Sequence, residues 1–192
     1  MLPPATKRQP VHTRRIECQG YLRDDDLWDI EAHLIDTKSY TFQNRHRGDI
    51  VPGEPLHDMW IRMTIDDQRV IHDLVAVTDA SPYAGCPDIT PNFKVLIGEQ
   101  IGPGWTAKVK RLLGGVQGCT HLVELLSPLA TTAFQTLYSA SKVRQTPPTD
   151  DATQRLASSQ WIVDSCHMYS ASGDYVREFL PEFYIDPKDI VN

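Results

Sequence analysis

Cysteine is scarce and scattered in this 192-residue chain: Cys18, Cys86, Cys119 and Cys166 stand far apart, with no CxxC pair. That spacing excludes a dense disulfide framework and the usual paired-cysteine zinc patterns. An excess of positive charge is also lacking. With 19 Lys and Arg against 25 Asp and Glu, the formal charge is −6. Such a chain has no basic field to displace counterions, so nucleic acid is not an expected partner. No apolar run approaches the roughly 20 residues that cross a bilayer, and no signal-peptide apolar region follows Met1. The expectation is a cytoplasmic protein with no membrane partner. "IGPGW" is glycine-rich but carries no phosphate-loop or dinucleotide pattern, and nothing calls for an organic cofactor.

What is present suits a compact α+β fold. Hydrophobic residues make 41% and charged residues 23% of the chain, an ordinary globular balance. Residues 1–10, "MLPPATKRQP", hold three prolines and no periodicity, and read as a flexible arm. A single domain over 11–143 follows. In "LWDIEAHLID" the apolar Trp28, Ile30, Ala32 and Leu34 alternate with Asp29, Glu31 and His33, the signature of a strand with one buried face. Together with "RRIECQGYL" across the acidic turn "RDDD" it predicts a hairpin.

"TFQNRHRGDIVPGEP" reads as a long loop. A second hairpin is predicted in "LHDMWIRMTIDDQRVIHDLVAVTDA", turning at Asp66 and Asp67. His57, Met59, Ile61, Met63 and Ile65 share one face there, and Asp58, Trp60, Arg62 and Thr64 the other. From Pro87 onward the period becomes helical, most clearly in "GCTHLVELLSPLATTAFQTL" with Leu122, Leu125, Leu126 and Leu129 in one stripe. Strands first and helices after predict an antiparallel sheet with helices on one face. Residues 144–155 read as a polar linker or loop, and 156–192 as a segment docking on the core.

Three groups of residues carry candidate chemistry. Asp29, Glu31 and His33 on one strand and Asp58 and Arg62 on another would form an acid/base cluster if their faces meet, or else line a solvated sheet face with cross-strand ion pairs. Cys119 falls at the start of the last helix on its apolar side, with His121 on the flank, and Cys86 sits in the strand-to-helix loop "SPYAGCPDITP". Thiols there are either core residues or, with His57, metal ligands. Tyr83 and Trp105 near the same rim would suit a ring-shaped ligand or simple packing, and Arg45 in "RHR" could steer a small anion.

Two resemblances extend this reading. Over 56–137 the chain resembles the NifU-type and SufE-type iron–sulfur scaffold fold. "GC" (Gly85, Cys86) stands at that fold's second motif and Cys119 at its late cysteine, while "LHD" (Leu56, His57, Asp58) stands where Cys-Gly-Asp is usual. The missing first cysteine leaves zinc binding, or a non-enzymatic iron–sulfur role through Cys86 and Cys119, as the alternative function.

Over nearly its whole length, in "CQGYLRDDDLWDIEAHLIDTKSY", "GEPLHDMWIRMTID", "IGPGW" and "GCTHLVELLSPLATTAFQTL", the chain resembles a bacterial family of unknown function linked to breakdown of lignin-derived aromatics. That resemblance implies a carbon–carbon lyase that eliminates formaldehyde from a phenylcoumaran dimer without a cofactor. Its catalytic groups would be His33, Glu31, Asp58 and Arg62. Asp29, Tyr83, Trp105, His121 and Arg45 would contact the small aromatic substrate, and a homo-oligomer would be compatible with it.

Overall fold

The computed structural model describes residues 1–138, 140–144 and 162–189. The chain divides into two compact units, Met1–Ala140 and Ser141–Asn192. The first unit is α+β. Its strands are β1 (His12–Leu22), β2 (Trp28–Lys38), β3 (Phe42–Asn44), β4 (Gly48–Ile50), β5 (Pro55–Ile65) and β6 (Ile71–Ala80). β1, β2, β5 and β6 form a four-stranded antiparallel sheet in that order, so the two long hairpins lie side by side.

The alternation in the sequence fixes which face is buried. In β2 the side chains of Trp28, Ile30, Ala32, Leu34 and Asp36 are all buried, while their neighbours remain partly exposed. In β5 the same-face row His57, Met59, Ile61, Met63 and Ile65 is buried, joined at the two ends of the strand by Leu56 and Thr64. Period-two patterning over β2 and β5 excludes a one-residue slip in register, because it would turn the buried row of a strand outward.

The helices of this unit pack on that same face. A 3₁₀ helix, Cys86–Leu96, lies against β6 and buries Phe93 and Leu96. Pro87 and Pro91 supply no amide donors, which explains a 3₁₀ segment where the sequence predicts a regular helix. α1 (Trp105–Leu113) buries Trp105, Val109 and Leu113. α2 (Thr120–Tyr138) lies over β1, β2 and β5 and buries Leu122, Leu125, Leu126, Leu129, Ala130 and Ala133. That apolar stripe keeps α2 continuous through Pro128. The indole N–H of Trp105 donates to the Leu126 carbonyl at 2.9 Å and ties the two helices together.

α2 approaches β1 closely because Gly20 has no side chain. A Cβ there would stand 2.0 Å from Thr136 Oγ1 and 2.7 Å from its Cγ2. Gly20→Ala is therefore expected to destabilise the fold by about 1–3 kcal/mol, the usual cost of overpacking. Urea unfolding would measure it, and Thr136→Ala in the same chain should recover part of the loss. An unchanged midpoint would contradict this packing.

The predicted long loop between the hairpins contains the β3–β4 hairpin. Asn44 Oδ1 accepts from the backbone N–H groups of His46 (2.8 Å) and Arg47 (3.0 Å), and Gly48 takes the left-handed backbone (φ 76°) that the turn needs. Three-residue strands are too short to show an alternation.

In the second unit, the described residues form a short helix, Asp174–Phe179, flanked by 3₁₀ turns. Val176 is fully buried, and Tyr169, Tyr175 and Phe179 pack ring against ring. The predicted linker 144–155 lies outside the described residues apart from Arg144. Among the described residues, no helix is long and apolar enough to cross a membrane.

Candidate functional site

The face of the sheet opposite the helices gathers the acid/base residues singled out in the sequence. Register places Glu31 across from Arg62 and His33 across from Trp60, with Asp58 two pairs further along β5, across from Ile35. His33 Nε2 donates to Asp58 Oδ1 at 2.6 Å. Its ring lies flat on the Trp60 indole, with centroids 3.5 Å apart and planes 9° from parallel. Arg62 Nε donates to Glu31 Oε1 at 2.6 Å. Glu17, Gln19, Glu31, His33 and Trp60 line a shallow depression here. Asp29 continues the row, accepting from Thr64 Oγ1 (2.6 Å) and Arg23 Nη1 (3.3 Å).

A hydrogen bond from Nε2 to a carboxylate fixes the His33 tautomer. In the neutral ring that bond takes the Nε2 proton and leaves a lone pair on Nδ1. The flat stack on Trp60 holds the ring in one orientation.

A second polar cluster lies on the covered face, at the end of the sheet where the apolar rows of β1, β2 and β5 stop. Asp36 takes the next core position after Leu34, and His57 the one before Met59. Asp36 is 1% exposed and His57 8%. Arg14, paired with Asp36 in the β1–β2 register, clamps the carboxylate through Nε on Oδ1 (2.8 Å) and Nη2 on Oδ2 (2.7 Å). His57 Nδ1 donates to Oδ2 at 2.9 Å, and His12 Nε2 lies 3.2 Å from Oδ1.

From above, the first turns of α2 bring His121, whose ring centroid is 3.8 Å from that of His57, and Glu124, which pairs with Arg14. The Cys119 thiol lies 3.9 Å from His121 Nδ1. A register shift between Asp36 and Thr37 bends the β2–β5 ladder at this point, and such bulges re-aim side chains.

The charges here are strongly coupled. Burial alone would push the Asp36 carboxyl up, but the hydrogen bonds and charge of Arg14, with His57 adding to them, hold it at about 2. Hydrogen bonding to Asp36 raises the Arg14 guanidinium further above its ordinary value. Burial lowers His57, with His121 adding to the effect against the pull of Asp36, and burial also lowers His121, with Arg14 next. Both shifts favour the neutral imidazole over the charged one.

Residues 12–135 match a protein family described as a protein of unknown function, DUF2889. The chain belongs to this family. It matches none of the curated proteins and none of the solved structures with which it was compared. The DUF2889 segment runs from the first residue of β1 into the last turns of α2, so it carries both clusters in full.

Other residues singled out in the sequence of this DUF2889 chain are placed apart from these clusters or contribute singly. Trp105 is a core residue, 7% exposed, with its N–H satisfied inside the helical layer. Tyr83 is 63% exposed and meets the edge of His46, while Arg45 is exposed in the β3–β4 turn. Cys86 is half-buried at the start of the 3₁₀ helix.

Of the sequence-based metal candidates Cys86, Cys119 and His57, only His57 belongs to the one group of three potential metal ligands found among the described residues, Asp36, His57 and His121. Sequence reasoning did not single out Asp36, Arg14, His12 or Glu124. The available signal was parity, since Asp36 continues the even-numbered core row of β2 and a carboxylate in a core row demands partners.

Proposed function

We propose that this protein is a cofactor-independent carbon–carbon lyase for a small, lignin-derived phenolic compound, eliminating formaldehyde from a phenylcoumaran dimer to leave a stilbene. The observation that carries the reading is the Asp58–His33 hydrogen bond, with the imidazole held flat on Trp60 beside the Glu31–Arg62 pair. His33, oriented by Asp58, takes the phenol proton. The phenolate electrons then break the dihydrofuran C–O bond to give a quinone methide; the bond pair leaves on the aryl oxygen, which takes the proton held by His33 while Arg62 steadies its charge.

Glu31 next takes the proton of the hydroxymethyl group. Its carbon leaves as formaldehyde, and the electron pair of the broken C–C bond passes into the quinone methide, forming the stilbene double bond and restoring the aromatic ring as a phenolate that takes the proton back from Glu31. No electrons are gained or lost overall, so the step needs only acid/base and charge-stabilising groups. Asp29 borders the same face. The reading sets the enzyme in a bacterial cytoplasm, free or as a homo-oligomer.

The test uses a free-phenol phenylcoumaran and its phenolic methyl ether. The free phenol should release formaldehyde and the ether should not. Release from both would remove the role given to His33.

The order of an antiparallel sheet followed by helices supports kinship with the NifU/SufE core. The Cys119–His121 contact supports a second reading, a non-enzymatic zinc or iron–sulfur module using Cys86 and Cys119. Acid-labile sulfide in anaerobically purified protein would favour that reading over the lyase.

A further inference from the structure

We propose that Asp36, His57 and His121 form a binding site for one divalent transition-metal ion of the zinc or iron(II) class, separate from the open-face cluster. Each residue offers one ligand atom, and the three atoms lie within 4.8 Å of one another. The donors come from β2, β5 and α2, three elements locked together by the core, so their spacing does not depend on a flexible loop. Asp36 Oδ2 and His57 Nδ1 are 2.9 Å apart. A hydrogen bond now joins these two atoms, so an ion would displace the Nδ1 proton to solvent or the other ring nitrogen; with metal–ligand bonds of about 2.1 Å the separation then corresponds to roughly 90° at the ion.

The surroundings resemble the supporting layer that such sites need. Arg14 holds both Asp36 oxygens and His12 approaches one of them, which fixes the carboxylate in orientation. Asp36 and Glu124 together outweigh the single guanidinium of Arg14, so the pocket presents a net negative charge to a cation.

Asp36 and His57 are buried while His121 is only half-buried, which leaves an approach from the α2 side. Two imidazoles and one carboxylate favour zinc, iron(II) or cobalt(II) over calcium or magnesium, which prefer oxygen donors alone. Three protein ligands leave coordination positions for water or a small ligand. The competing explanation is that the same groups serve only as a hydrogen-bonded anchor for the sheet end.

The two explanations separate in a titration of chelator-treated, tag-free full-length protein with zinc chloride by calorimetry, repeated with cobalt(II) by visible absorption. The proposal expects one equivalent bound and a cobalt spectrum typical of nitrogen and oxygen ligands. His57→Ala and His121→Ala should each weaken binding by more than the roughly 10–100-fold that loss of a supporting residue causes. Arg14→Lys should fall within that range.

His121 is half-buried, so its variant tests the site even if His57→Ala fails to fold, and circular dichroism reports on folding for both. His33→Ala should bind zinc as the wild type does. Absence of saturable binding, binding unchanged in a folded His121→Ala, or binding lost instead in Cys86→Ser would each overturn the proposal. Because zinc is titrated without substrate, the lyase reading stands or falls separately.

Discussion

His33→Ala is expected to lower turnover of a free-phenol phenylcoumaran by about 10²- to 10⁴-fold, the usual contribution of a positioned general base. The protein should stay folded, because His33 lies on the face opposite the helices and its removal forfeits one aromatic stack of about 0.5–1.5 kcal/mol. Asp58→Asn should cost less, since the amide can still hold the ring but no longer selects the tautomer with a free Nδ1. Steady-state formaldehyde release, with circular dichroism on the same preparations, separates catalysis from folding. Wild-type turnover in a folded His33→Ala would place the chemistry elsewhere.

Asp36→Ala is expected to be the most damaging single change to stability in the polar clusters, about 3–5 kcal/mol, because removing one partner of a buried pair leaves the other uncompensated. Here the loss falls on Arg14, left with Glu124 alone, and on the His57 N–H, left without its acceptor. Urea unfolding of the metal-free protein measures it. The double variant Asp36→Leu, Arg14→Met should be far less destabilised than Asp36→Ala, since apolar replacement of both partners removes the unpaired charge.

The folded carboxyl titrates at about 2, below the ordinary carboxylate value, so its contribution is present above the ordinary range and is lost as pH falls towards 2. A loss under 1 kcal/mol in Asp36→Ala would show that the cluster does not hold the sheet end together.

Much of this arrangement was legible in the residues because long strands advertise their faces. Alternation over β2 and β5 gave the buried rows and put Glu31 and His33 on the polar face of one strand and Asp58 and Arg62 on that of another, which the pairing of β2 with β5 brings together. What alternation cannot give is the identity of the cross-strand neighbour, which depends on the turn. A two-residue slip of β5 along β2 would keep both buried rows inward and yet separate His33 from Trp60. The α2 stripe was legible for the same reason, through the spacing of Leu122, Leu125, Leu126 and Leu129.

The Asp36 cluster was hidden by distance along the chain. Arg14, Asp36, His57 and His121 come from four elements, and no local pattern links them. Trp105 shows the opposite difficulty. Its sequence position suggested a strand-to-helix rim, but its ring is buried in the core and its N–H is held by the Leu126 carbonyl of α2.

The central claim is the elimination itself, and the most direct measurement follows both products from chelator-treated wild-type protein and a free-phenol phenylcoumaran. Formaldehyde and stilbene are quantified in the same reaction. The account predicts their appearance in a one-to-one ratio, at equal initial rates and without added metal or redox cofactor. Stilbene without formaldehyde, or neither product at any protein concentration, would contradict it.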